Sequence, residues 1–180
     1  ITGGGLNYGN ENYTGYLALK GENDLTQVTV ENGVLATADG GRLSGANDKT
    51  QLNVNGGVFV SGNSGESFAA IDVASGAMFT GSASFSADSI NNSGFTSIAG
   101  SATVCGVLDN DGSLDVSADL QAASLANQAS GTIDLSADIN LEDENEVRGT
   151  FTQHRIHALS GSGDDARQIT TSVFQGSGNT

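Results

Sequence analysis

Apolar and polar residues alternate along this chain in short runs, and the runs return at a nearly fixed interval. Gly33, Gly56, Gly76, Gly94, Gly112, Gly131 and Gly149 follow one another in steps of 23, 20, 18, 18, 19 and 18 residues. Two positions after each stand Leu35, Val58, Met78, Thr96, Leu114, Ile133 and Phe151. Four positions after stand Thr37, Val60, Thr80, Ile98, Val116, Leu135 and Gln153. The first column is apolar in six of seven copies and the second in four. Alternation of this kind is the period of a strand with one buried face. Further pairs precede the glycines: Val28/Val30, Leu52/Val54 and Ile71/Val73. Asn32-Gly33, Asn55-Gly56-Gly57, Asn92-Ser93-Gly94 and Asn110-Asp111-Gly112 punctuate the copies, with residues that tolerate the positive φ of a sharp corner. Gly112–Leu120 is rewritten almost whole as Gly131–Ile139, with five of nine residues identical.

Several short strands per copy, joined by corners and with no room for a crossover helix, predict an all-β fold, a parallel β-helix with coils of about 18–20 residues. An antiparallel sandwich would also supply short strands, but it gives no reason for a fixed register. Seven marked copies and their flanks suggest roughly nine coils and a prism about 40–45 Å long. Regular coils are expected over 28–153, a less regular or terminal coil over 1–20 and an irregular end or loop over 155–180, all in one domain.

Composition changes this picture in three places. Glycine is 26 of 180 residues, about twice the usual ~7%, which suits many corners. Proline is absent, as ladders that use every backbone N–H require. Few charges with much Ser and Gly can mark disorder, but the periodic Leu, Val, Ile and Phe oppose it, least so over the last twenty residues. The net charge is −15, from 21 acidic and six basic residues. It excludes a phosphate-tracking nucleic-acid binder and disfavours an anionic membrane surface. No stretch approaches eighteen apolar residues, so direct membrane insertion is not expected. Cys105, the only cysteine, allows no internal disulfide; its apolar neighbours Ala102-Thr103-Val104 predict a buried, inert thiol. The chain starts at Ile1 without a signal-like segment and is expected to be a processed or excised piece.

The chemistry-bearing residues are sparse. Asp115 and Asp134 share a repeat position, as do Asp119 and Asp138. Each pair would stand one rung apart, an outward acidic ladder able to attract Ca²⁺ or a basic partner, or simply a solvated face. No Gly-Gly-x-Gly-x-Asp array accompanies them, so no cofactor is expected. Glu142-Asp143-Glu144-Asn145-Glu146 reads as an exposed loop. His154 and His157, three apart on a strand, point to opposite faces and form no zinc site. Ser162 and Ser64 lie in Gly-rich loops without the nucleophile-elbow pattern. With no Trp, and with Tyr8, Tyr13 and Tyr16 confined to the first sixteen residues, a sugar-cleaving groove is not expected. The tyrosines could bind a ligand or cover the open end of the core. Catalytic residues are expected to be none.

Two elements carry a resemblance. Asn12-Tyr13-Thr14-Gly15, followed by Val28–Leu35, is similar to the passenger-associated repeat of classical autotransporters. Leu108–Leu114, with Leu125-Ala126-Asn127 and Gly131-Thr132-Ile133, is similar to repeats of filamentous-haemagglutinin-like exoproteins. The chain thus resembles passenger domains of type V secreted proteins of Gram-negative bacteria over most of 12–153. The resemblance implies a right-handed parallel β-helix, exported through an outer-membrane β-barrel translocator in cis or trans and held at or released from the cell surface. It implies adhesion or cell–cell aggregation, with a host-cell or neighbouring-cell ligand or self-association. A stalk carrying an upstream enzyme such as a serine protease is the alternative, and a polysaccharide-active β-helix is a further one.

Overall fold

A computed structural model describes residues 4–10, 12–45, 48–128, 130–135, 137, 139–141, 146–149, 169–170 and 173–174. The described chain is all strand and turn, and every strand pairs in parallel with its equivalent in the neighbouring turn, giving a β-solenoid of about seven turns. Three faces alternate. Face 1 holds β1 (Gly5–Tyr8), β3 (Gln27–Val30), β5 (Thr50–Val54) and β10 (Ile90–Asn92). Face 2 holds β2 (Tyr16–Leu19), β4 (Val34–Thr37), β6 (Val58–Ser61), β8 (Met78–Gly81), β11 (Phe95–Ile98), β13 (Ser113–Val116) and β15 (Thr132–Leu135). Face 3 holds β9 (Phe85–Ala87) and β16 (Ile139–Leu141). The longer strands β7 (Glu66–Val73), β12 (Ala102–Asn110) and β14 (Leu120–Asn127) bend from face 3 into face 1, pairing β9 or β16 with their first halves and β10 or β17 (Glu146–Gly149) with their second. Two short strands, β18 (Ile169–Thr170) and β19 (Val173–Phe174), extend faces 3 and 1.

The interior is a set of one-residue-wide columns. Val28, Leu52, Ile71, Ile90, Leu108 and Leu125 stack on face 1, each fully buried. On face 2 the inner column runs Leu17, Leu35, Phe59, Phe79, Thr96, Leu114, Ile133. The Phe59 and Phe79 rings stack at 6.1 Å, and Phe68 and Phe85 close on them edge-on from face 3. This aromatic knot fills the middle turns; Ala102 and Ala122 thin the interior of face 3 further along.

One sequence expectation needs correction. Val58 and Met78 do not lie in the buried column with Leu35. The register pairs Leu35 with Phe59 and Phe59 with Phe79, leaving Val58 and Met78 outward and half-buried. The corner glycine equivalent to Gly33 is Gly57 rather than Gly56; both take positive φ, +75° and +70°. Because side chains alternate strictly, counting from Gly56 and Gly76 turned those two copies inside out. Among the described residues the face 1 stack β1, β3, β5, β7, β10, β12, β14, β17, β19 holds nine strands and face 2 holds seven. One precedes the Gly33 copy, and the copy expected after Gly149, with Phe151 and Gln153, lies outside the described residues. The seven described strands of face 2 span about 30 Å.

Face 3 is irregular where the chain makes its longest excursion. The paired starts of β4 and β6 are 24 residues apart, while later turns take 17 to 20. Here residues 22–25 and 42–44 stand in for strands. A Glu22–Arg42 bridge and the Leu25 N–H donating to Leu43 O at 2.8 Å hold them together.

Candidate functional site: the outward rows and two buried polar clusters

Parallel register turns each outward position into a row running along the rod, one side chain per turn at about 4.8 Å. The longest polar row lies on face 1: Asn7, Thr29, Asn53, Asp72, Asn91, Asp109. Amides bind the carboxylates between turns. Asp72 accepts from Gln51 Nε2 at 2.7 Å on one oxygen and from Asn91 Nδ2 at 2.6 Å on the other. Asp109 accepts from Gln128 Nε2 at 2.6 Å. Neutral asparagine between the two acids keeps them two turns apart, which limits like-charge repulsion. The result is a straight, pre-ordered line of donors and acceptors on a half-exposed face.

The acidic pair Asp115/Asp134 is brought together as its repeat position implies, on adjacent turns of face 2. Asp115 is half-buried beside the Ser97 hydroxyl, which donates at 3.5 Å, and Asp134 is exposed. Asp119 is exposed at the corner after β13; its counterpart Asp138 lies outside the described residues. Two carboxylates supply too few oxygens for calcium, which takes six to eight. Among the described residues no group of three or more His, Cys, Asp or Glu side chains gathers in metal-binding range. Of the run 142–146 expected as a loop, residues 142–145 lie outside the described residues, while Glu146 opens strand β17 instead; His154, His157 and Ser162 also lie outside the described residues, and Ser64 sits in an exposed turn.

The tyrosines separate. Tyr8 is buried in the core, its ring edge-on to Tyr13 at 5.6 Å, and burial followed by the Tyr13 contact pushes its phenol pKa up. Tyr13 is partly exposed, and Tyr16 projects from face 2 with 65% of its surface open. Cys105 corrects the sequence reading: its thiol is exposed. Val104 takes the inward position, and the strand bulges between Val104 and Val107 where it turns from face 3 to face 1, leaving Cys105 on the outside of the bend.

Two buried polar clusters escaped the sequence reading. At the corner between faces 1 and 2, Asn92, Asn110 and Asn127 stack inward on three successive turns. Asn92 Nδ2 donates to Asn110 Oδ1 at 2.7 Å, and Asn110 Nδ2 to Asn127 Oδ1 at 2.6 Å. Spare donors reach the carbonyls of Ser113, Thr132 and Gly131. The Asn-x-Gly spacing at Asn92 and Asn110 is the signal that was visible, though it is missing at Asn127, and Gly94 and Gly112 do not adopt positive φ. Glycine is needed because a Cβ on Gly112 would lie 2.1 Å from Gly94 O, and one on Gly131 2.3 Å from Asn110 O.

The second cluster is Glu66, 1% exposed. Its Oε2 accepts the Leu43 N–H at 3.1 Å, so a side-chain carboxylate occupies the place of a ladder carbonyl where face 3 lacks a strand. Its Oε1 is buried without a hydrogen-bond partner. Burial raises the pKa, opposed by the Leu43 N–H, the Thr37 hydroxyl and the Arg42 guanidinium. Nothing at ligand spacing in these clusters assembles a nucleophile with a base, and both serve the interior. No protein-family model, curated protein or solved structure matches this chain.

Proposed function

We propose that this chain is a non-enzymatic segment of an extracellular bacterial surface or secreted protein, acting in adhesion or cell–cell aggregation through its long side. The observation that carries the reading is the face 1 row, in which Asp72 and its neighbours are fixed by amide cross-links before any ligand arrives. Pre-ordering lowers the entropy lost on contact, and a line of equivalent weak contacts gains strength by repetition. The repeat elements similar to type V passengers, Asn12-Tyr13-Thr14-Gly15 and Leu108–Leu114, support export through an outer-membrane β-barrel and display at the surface.

The test uses cells displaying this segment, cells displaying a deletion of it, and cells displaying the triple variant Asp72→Ala, Asn91→Ala, Asp109→Ala. Adhesion to host cells and clumping are counted. The deletion is expected to abolish both, and the triple variant to reduce adhesion at least fivefold. Adhesion and clumping unchanged by the deletion would sink the adhesive reading in favour of a stalk carrying an upstream enzyme.

A further inference from the structure

An asparagine or aspartate followed by glycine is open to attack on its side chain by the next backbone nitrogen, because glycine has no Cβ in the way. The chain holds four such steps: Asn32-Gly33, Asp39-Gly40, Asn55-Gly56 and Asp111-Gly112. In three of them the glycine N–H is engaged elsewhere. Gly40 N donates to Asn63 Oδ1 at 3.1 Å, Gly56 N to Val30 O at 3.1 Å and Gly112 N to Asn92 O at 3.0 Å. At the fourth step Gly33 N donates to the side-chain Oδ1 of Asn32 itself, at 2.8 Å. The other asparagine is also turned away from its glycine, since Asn55 Nδ2 donates to Glu31 Oε1 at 3.1 Å.

We propose that Asn32 is a self-modification site, which deamidates through a cyclic imide in the folded chain ahead of Asn55. The proposal stands apart from the adhesive reading. Its basis is orientation: the attacking nitrogen already faces the carbonyl group it must attack, and Gly33 is fixed there at φ +75°. At Asn55 a ladder bond must first break and the side chain must leave Glu31. Gly33 N bonds to Asn32 Cγ and releases its proton, while the Cγ–Nδ2 bond breaks and the amide nitrogen leaves as ammonia. Water then opens the imide at one of two bonds. Cleavage between Gly33 N and Cγ gives aspartate in the ordinary chain. Cleavage between Gly33 N and Asn32 C gives isoaspartate: the chain runs through Cγ, and the old carbonyl carbon becomes a free carboxylate.

The two products differ in fit. Aspartate keeps an oxygen for the Gly33 N–H. In isoaspartate the new carboxylate stands between two turns that close on it, since a Cβ on Gly9 would lie 2.9 Å from Asn32 C and one on Gly57 2.8 Å from it. The chain is also one atom longer at a corner where Val34 N donates to Gly15 O at 2.9 Å and Val58 N to Gly33 O at 2.8 Å. A buried charge and an added backbone atom have no room there. The isoaspartyl product therefore loosens the first turns of the rod.

The experiment incubates the folded chain in neutral buffer at 37 °C and follows each asparagine by peptide mass spectrometry, with electron-transfer fragmentation to separate aspartate from isoaspartate. Asn32 is expected to convert at least fivefold faster than Asn55. In urea, where both Asn-Gly steps are free, the two are expected to convert at comparable rates. Equal rates in the folded chain, or the same preference in urea, overturn the proposal. The isoaspartyl fraction, separated by ion exchange, is expected to be cut by trypsin after Lys20 at least fivefold faster than the parent. Fresh Asn32→Asp, which adds the charge without rerouting the backbone, is expected to resist as the parent does, with folding checked by circular dichroism. An isoaspartyl fraction as resistant as the parent, or an Asn32→Asp variant cut just as fast as that fraction, overturns the account of the loosened turns.

Discussion

Glu66 shows how much a single side chain can decide in this fold. Its carboxylate completes the hydrogen bonding of Leu43 where the backbone offers no strand, yet one oxygen remains buried and unbonded. Burial raises its pKa above the ordinary 4.5, so the folded chain holds this proton more tightly than the unfolded one. The sign follows from linkage: its contribution to stability is full below pH 4.5 and is lost as pH rises through the raised value. Glu66→Gln keeps the shape and removes the charge. Urea unfolding midpoints measured from pH 4 to pH 8 are expected to fall less steeply with pH in the variant. At pH 8 the variant should be more stable than the parent by on the order of 1 kcal/mol. A parent and variant with parallel pH profiles would show that the carboxylate is not the group responsible. Nothing in the local sequence Ser64-Gly65-Glu66-Ser67 announces a buried acid; a charged residue in a Gly-rich corner reads as solvated. Its burial follows from the long excursion before it, which brings Leu43 rather than a strand to its side.

At the scale of the strand, alternation does most of the specifying, and a one-residue slip undoes it. Face 2 alternation was legible in Leu114/Val116 and Leu35, all buried, and the face 1 pairs Val28/Val30, Leu52/Val54 and Ile71/Val73 are buried throughout. What was not legible was which of two adjacent residues faces in at Val58-Phe59 and Met78-Phe79. Both members are apolar, so polarity cannot distinguish them, and the glycine used to count was one position early. The register makes a sharp prediction. Phe79→Ala removes a ring from the aromatic knot and is expected to cost about 3–5 kcal/mol. Met78→Ala, one residue away on the outer surface, is expected to cost less than about 1 kcal/mol. Equal losses in urea unfolding would contradict the register. The same logic explains Cys105: its neighbour Val104 has the inward position, and no composition of the flanks could show that without the phase of the strand. The segments 22–25 and 42–44 were illegible for another reason. They complete face 3 through a bridge and isolated backbone bonds, with no alternating pattern to read.

Over the whole molecule, long-range contacts join each turn to the next, so stability is a sum of neighbouring interfaces working against a net charge of −15. Only two ion pairs occur among the described residues, Lys20–Asp39 and Lys49–Asp88, both at the surface. They offset little of the repulsion. Added salt is therefore expected to stabilise the rod: raising NaCl from 0.02 to 0.5 M shortens the screening length from roughly 20 Å to about 4 Å. The thermal midpoint should rise by several degrees; a midpoint that falls would mean that specific pairs outweigh the general field. Stacks of interchangeable aliphatic residues carry little information about which turn belongs next to which, since Leu, Ile and Val fit one another's places. The column of Asn92, Asn110 and Asn127 is different, because each amide needs a neighbouring amide and a corner carbonyl at fixed height. Sliding one turn by a residue would set a bare amide against hydrocarbon, at a cost of about 1–3 kcal/mol for every group stranded. In a rod assembled from near-copies, these three asparagines act as an alignment mark, rejecting the mispaired stacks that its hydrophobic columns would accept.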